Sequence, residues 1–309
     1  MNYLEHFGLQ TTPFSLTPDT EFLFEDLEFS VIARTVLVAL EEGEGIVKVT
    51  GDIGTGKTML GRYLLGTLEK RYAVAYLLNP LLSVRDLNQV LATEFGVEAE
   101  PGMGFQMLLS RILERLMLLG EEGKKALILV DEAQSVPDST LEALRLMTNL
   151  ETEKEKVVQV VLLGQLELDQ RLEQPEVRAL KQRIATSCHL RPMDFDRLQG
   201  YVRHRLQAAG GDKREIFTPG ALELLFRGSR GSPRLVHILA NKALGLAAEG
   251  KESGVTARHM RRAIQDTEGV STVTPRVRLF FGMLLRWLHD LRLPRFPWIL
   301  RRRGALNAG

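Results

Sequence analysis

A single cysteine, Cys188, occurs among the 309 residues, so an intramolecular disulfide is excluded and the expected compartment is the reducing cytosol. The opening stretch MNYLEHFGLQ lacks a basic segment followed by an apolar one, so it does not read as a secretory leader. No uncharged apolar run approaches the roughly 18 to 20 residues that a spanning helix needs. The best candidate, 279–285, is closed by Arg278 and Arg286. The expectation is a soluble or peripheral protein. Charge of one sign is missing too: 40 lysines and arginines stand against 39 acids, a net +1. That balance gives no global reason to expect nucleic acid or an acidic partner. No internal repeat or low-complexity tract is present, and no histidine pair has metal-ligand spacing. His6, His204, His237, His259 and His289 are scattered and read as structural.

What is there is an apolar share of 44%, ordinary for a globular chain with a sizeable core. Between about 45 and 191, short apolar runs alternate with amphipathic segments. GIVKVT (45–50), AVAYLL (73–78), ALILVD (126–131) and VVQVVLLG (157–164) read as buried strands of a parallel sheet. Helical patterns around 57–70, 84–95, 104–119 and 138–150 lie between them, which predicts a doubly wound α/β domain. Cys188 reads as a small core residue of the final strand rather than a nucleophile. After Pro192 the strand signal stops. Segments 194–209, 218–228, 232–249 and 255–266 are helical in pattern, with Asp194, Thr218, Ser232 and Thr256 as expected N-caps. The expected division is an α/β core over 1–191, a small all-α lid over 192–268, and a tail over 269–309.

GDIGTGKT, residues 51–58, fits G-x-x-x-x-G-K-[ST] after a strand and before a helix, the context in which this motif carries meaning. Gly51, Gly54 and Gly56 let the chain curl so that successive N–H groups, from Asp52, Ile53 and Thr55 through Met59, face phosphate oxygens. The helix N-terminus adds partial positive charge. Lys57 is expected to reach the β- and γ-phosphates, and the Thr58 hydroxyl to ligate magnesium. ALILVDEAQ ends an apolar strand in two carboxylates. Asp131 is placed to hold the magnesium shell and Glu132 to polarise a water for attack on the γ-phosphate; the bland alternative is a pair of helix-capping acids. Gln165, ending the strand 157–164, is the candidate sensor of the γ-phosphate. Arg178 and Arg183, in PEVRALKQRIATSCHL, are candidates to project into a neighbouring subunit's site, Arg183 the preferred one. Arg234, in GSPRLVHILANKAL, is placed to reach back to the γ-phosphate from the helical part. The expected cofactors are ATP and Mg2+.

With these residues in hand, the chain resembles the AAA+ family of ExeA (GspA) and MshM, ATPases associated with type II secretion and with mannose-sensitive pilus biogenesis. YLEHFGLQTTPFSLTPDTEFLF at the N-terminus is similar to that family's opening pattern. Read alone it is an irregular segment with Pro13 and Pro18, expected to pack on the core near the adenine. The resemblance covers about residues 1 to 268, and the shorter cytoplasmic MshM-like members fit the chain's length better. It implies a homo-oligomer that hydrolyses ATP and assembles a pilus or secretion apparatus at the inner membrane, with partners there. The DEAQ box is shared with transposition ATPases of the TniB and TnsC kind, so a DNA-binding regulator of target selection is the alternative.

The tail has no such likeness. In TPRVRLFFGMLLRWLHDLRLPRFPWILRRRG, Arg278, Gly282, Arg286 and Asp290 form a polar stripe beside a wide apolar face with Trp287, and Arg301 to Arg303 follow. The pattern suits an anionic membrane surface. Docking on protein is the nearest alternative, with nucleic acid behind it.

Overall fold

Strand-forming runs and helical runs alternate along the first part of the chain, and the computed structural model orders them around one sheet. It describes residues 2–78, 81–100, 102–151, 156–211 and 215–267, all within one compact unit, Met1–Val270. The tail and its membrane reading lie outside the described residues.

The strands are β1 (Ile46–Gly51), β2 (Tyr72–Leu77), β3 (Lys125–Val130), β4 (Val158–Gly164) and β5 (Ile184–Leu190), and they form a parallel five-stranded sheet in the order β2-β3-β4-β1-β5. Side chains of alternate residues go to opposite faces. Ile46, Ala75, Ile128, Val130, Val160 and Leu162 join one buried cluster, whereas Val47, Val49, Leu127, Leu129, Val161 and Leu163 join another. Helices cover each face, which is why the inner strands are mostly apolar on both faces rather than alternating. Leu87 and Leu91 of α4 (Val84–Glu94), Ile112 and Leu116 of α5 (Phe105–Glu121), and Leu141 and Leu144 of α6 (Asp138–Met147) fill the first cluster. Ile32 and Val36 of α2 (Leu27–Glu41), with Leu60 and Leu64 of α3 (Lys57–Leu68), fill the second. The α/β expectation and the four expected strands are met within a residue or so. Helix α2 has no counterpart among the sequence expectations, although Phe29, Ile32, Ala33, Val36, Ala39 and Leu40 recur at helical spacing behind the cap Asp26, which accepts the Phe29 N–H at 2.8 Å.

Beyond β4 come two short helices, α7 (Leu166–Arg171) and α8 (Arg178–Lys181), then β5 and four longer helices. These are α9 (Phe195–Ala208), α10 (Pro219–Ser229), α11 (Pro233–Glu249) and α12 (Ala257–Gln265). Leu198, Val202, Leu225, Val236, Leu239, Met260 and Ile264 form their common core. Asp194 and Thr218 cap α9 and α10 as expected. Ser232 occupies the N-cap position of α11 as expected but makes no side-chain cap bond; its hydroxyl instead donates to Ile53 O at 3.4 Å, across to the loop after β1.

The N-terminal segment lines a cavity with residues 15–18, but its earlier part departs from expectation. It contains α1 (Tyr3–Phe7), and Phe7, Leu9 and Phe14 are buried in the cluster of α9 to α12, not against the sheet. Burial of three large apolar side chains outweighs anything its prolines dictate locally. The joint between sheet and helices is equally tight. Gly231 has φ +78, its carbonyl accepts the Met193 N–H at 2.9 Å, and an added Cβ would lie 2.0 Å from Met193 O. Only glycine fits there. Among the described residues, no helix is long and apolar enough to cross a membrane.

Candidate functional site

In a parallel sheet all strands end on one side, and loops from neighbouring strands meet there. The order puts β4 between β1 and β3, so the loop 52–56, Asp131–Glu132 and Gln165 emerge side by side. The sheet order itself assembles the site.

The loop after β1 turns through Gly54 (φ +77) and Gly56 (φ +106), which is also the N-cap of α3. Gly54 has a second reason to be glycine: an added Cβ would stand 2.6 Å from Arg234 Cβ and 2.9 Å from Ser232 Oγ. The start of α11 rests directly on the loop, and the Arg234 N–H approaches Gly54 O at 3.4 Å. Lys57 is buried, with Nζ donating to Gly51 O at 2.8 Å and Asp52 O at 2.9 Å. Burial lowers its pKa, and the carboxylates of Glu132, Asp131, Asp52 and Glu167 oppose that shift.

The Thr58 hydroxyl donates to Asp131 Oδ2 at 2.7 Å, and Asp131 Oδ1 accepts the Glu132 N–H at 2.9 Å. A threonine hydroxyl and a carboxylate at hydrogen-bond distance are hard oxygen donors of the type magnesium takes. The residues present therefore fit that ion. Tyr76, on β2, donates its hydroxyl to the same Oδ2 at 3.3 Å. Burial and the Asp131 charge push its pKa up, so Tyr76 remains a donor. No sequence expectation included Tyr76.

Glu132 has φ 51 and ψ 40, a left-handed conformation that side chains other than glycine rarely adopt. Such strain is characteristic of functional positions. Its carboxylate closes a ring with two glutamines. Gln134 Nε2 and Gln165 Nε2 both donate to Oε2, at 2.6 and 2.9 Å, while Gln134 Oε1 accepts the Gln165 N–H at 2.9 Å. Burial works against ionisation of Glu132. The two amide donors and the charges of Lys57 and Arg234 outweigh it and hold the carboxyl below its usual range. Arg171 keeps Gln134 in place by donating to its carbonyl at 2.6 Å while pairing with Asp138. Gln134, like Tyr76, is absent from the sequence expectations. The DEAQ string places it two residues after Glu132, but the bonds it makes depend on β4.

A cavity of about 340 Å³ lies between the loop and the helices, a size suited to a small cofactor. Residues 53–59, Glu132 and Arg234 line one end; Leu16, Pro18, Phe29, Leu190, Tyr201 and His237 are among the rest. Thus Lys57, Thr58, Asp131, Glu132, Gln165 and Arg234 are brought together. Arg178 and Arg183 are not. Both are exposed, neither lines the cavity, and neither guanidinium has a hydrogen-bond or ion-pair partner among the described residues. Cys188 is half-buried on β5, its thiol pKa pushed up by burial and by Glu44, in keeping with a structural role. No group of metal-ligating histidines, cysteines and acids occurs among the described residues.

A family of AAA domains matches residues 40–172, from the end of α2 through α7. General secretion pathway protein A of Aeromonas hydrophila is 42% identical over 242 residues, which is 78% of this chain and 44% of that protein. The chain belongs to the AAA+ ATPase family of general secretion pathway protein A. It spans less than half the length of that relative. Solved AAA+ structures share the fold. Cdc6p from Pyrobaculum aerophilum is similar at TM-score 0.66 and 15% identity, over 82% of this chain and 73% of that one. The ORC2 protein of Aeropyrum pernix, in ADPNP and ADP complexes, is similar at TM-score 0.59 and 18% identity, over 79% and 68%. The Thermotoga maritima RuvB Holliday junction branch migration motor reaches TM-score 0.53 at 14% identity, over 90% and 80%. At these identities the likeness is one of fold. In this AAA+ chain the fold brings the ends of β1, β3 and β5 to the cavity, with Gln165 at the end of β4 joined to it through Glu132.

Proposed function

We propose that this AAA+ chain binds ATP with magnesium between its α/β core (1–191) and a helical lid (192–268) and hydrolyses it. The observation that carries the reading is the junction of β1, β3 and β4, where Lys57, the Thr58–Asp131 pair and the Glu132 ring meet. Magnesium held by Thr58 and Asp131 would neutralise charge on the β- and γ-phosphates. Lys57 supplies a fixed positive charge to those phosphates. Glu132, ionised and oriented by Gln134 and Gln165, accepts a hydrogen bond from the attacking water and takes its proton. Gln165, bonded to Glu132 at the tip of β4, links the γ-phosphate position to that carboxylate. Arg234, at the start of α11, adds positive charge from the lid.

The site is completed in a homo-oligomer by an arginine of the next subunit, Arg183 ahead of Arg178. Their exposure, and the lack of a side-chain partner for either guanidinium among the described residues, support this. The process served is assembly of a type II secretion apparatus or a mannose-sensitive pilus, from the cytoplasmic side and peripheral to the inner membrane. The relative's name supports a role in secretion.

Complementation tests the oligomer. Arg183→Ala is expected to bind ATP yet turn it over slowly, by a factor of at least about a thousand in the range of such arginines. Mixing it with Glu132→Gln should restore activity, because an interface can then pair an intact Glu132 with an intact Arg183. An assembled mixture as inactive as either parent would rule out Arg183, and the same experiment on Arg178 would follow.

A further inference from the structure

Residues 15–18 line the cavity, and the carbonyls of Pro13, Phe14, Ser15 and Pro18 are taken up by side chains. Arg205 Nε donates to Pro13 O, Asn241 Nδ2 to Phe14 O and Arg62 Nη1 to Pro18 O, each at 2.6 Å. His237 Nδ1 lies 2.6 Å from Ser15 O. A carbonyl only accepts, so Nδ1 carries the ring proton and Nε2 is left as an acceptor. The Tyr201 hydroxyl, 2.5 Å from Nε2, is then the donor. The two rings stack, with centroids 5.8 Å apart and an interplanar angle of 15°. Burial, then the charge of Arg205, lowers the His237 pKa to about 4, while burial pushes Tyr201 up to about 12. Both are neutral at physiological pH, as this chain of donors requires.

The anchors have an uneven origin. Tyr201 and Arg205 belong to α9, and His237 and Asn241 to α11; Arg62 of α3 comes from the sheet side. Between the anchored carbonyls, Leu16 lines the cavity and its main-chain N–H and C=O have no partner among the described residues. With phosphates on the loop 53–58, the base of a nucleotide falls toward this end, beside Leu16, Pro18, Phe29 and Tyr201.

We propose that Tyr201 and His237 are positioning residues for the nucleobase: the relay from the Tyr201 hydroxyl through the His237 ring to the Ser15 carbonyl fixes residues 15–18 as the wall against which the base rests. The proposal rests on the nucleotide reading above. It assigns the base end of the site to α9 and α11 and leaves the phosphate end to the loop. The relay therefore governs affinity for ligands that carry a base and not for phosphate chains alone.

The experiment compares equilibrium binding of ATP and of tripolyphosphate to the full chain and its variants, with folding checked by thermal melting. His237→Leu is expected to weaken ATP about tenfold while tripolyphosphate stays within about twofold, since one ordered hydrogen bond contributes on that scale. His237→Asn, whose amide nitrogen can replace Nδ1 as donor, recovers most of the loss. Tyr201→Phe, which removes the hydroxyl alone, shifts the ATP to tripolyphosphate ratio in the same direction by less. An unchanged ratio in His237→Leu and Tyr201→Phe, whether both ligands weaken together or neither does, overturns the relay while leaving the nucleotide site standing. If the wild-type chain binds neither ligand, the nucleotide reading falls and the relay falls with it.

Discussion

Glu132→Gln is expected to bind ATP as the wild-type chain does and to hydrolyse it at least about a hundredfold more slowly, in the range for loss of a general base. The amide keeps the side chain's shape, and the Thr58–Asp131 pair is untouched. What disappears is the carboxylate that takes the water's proton. That carboxylate is ionised because donors from Gln134 and Gln165, with Lys57 and Arg234, outweigh the effect of burial. A depressed pKa means the carboxylate persists above the ordinary carboxylate range and is lost only as pH falls through the lowered value. Wild-type turnover should therefore show no inflection from this group between neutral pH and about pH 5. Phosphate release and nucleotide affinity, measured on the same preparation, check both halves. Unchanged turnover would remove Glu132 from the mechanism.

Lys57→Ala is expected to abolish useful ATP binding, a loss of roughly a hundredfold or more, since removing one partner of a buried charge pair costs about 2–5 kcal/mol. Nζ is the cation buried within the phosphate loop, held by Gly51 O and Asp52 O. Without it the phosphates meet Asp131 and Glu132 with less opposing charge. Calorimetric titration of ATP measures the effect, with the melting temperature as a control on the loop. Wild-type affinity in Lys57→Ala would show that the phosphates lie elsewhere.

Much of this was legible in the sequence, for local reasons. Strands β1 to β4 and helices α3 to α6 announce themselves by apolar spacing within a few residues. The 51–58 loop carries its glycines, lysine and threonine in one string. What was hidden depends on neighbours far along the chain. Tyr76 reaches Asp131 only because β2 lies beside β3, with Tyr76 paired to Leu129. Gln134 becomes part of the site only when β4 brings Gln165 to it. Ser232 looks like a cap by sequence, but the loop at Ile53 takes its hydroxyl. His237 read as one scattered histidine, yet its ring lies between α9 and the N-terminal segment. Helix α2 was different: its pattern is local and sufficient, so it was legible though absent from the expectations.

Hydrolysis of ATP with magnesium at the junction of β1, β3 and β4 is measured as phosphate release by the wild-type chain, followed with magnesium present and with magnesium chelated. The expected result is turnover that requires the metal and vanishes on chelation. Turnover indifferent to magnesium, or none at concentrations where the chain is assembled, would contradict it.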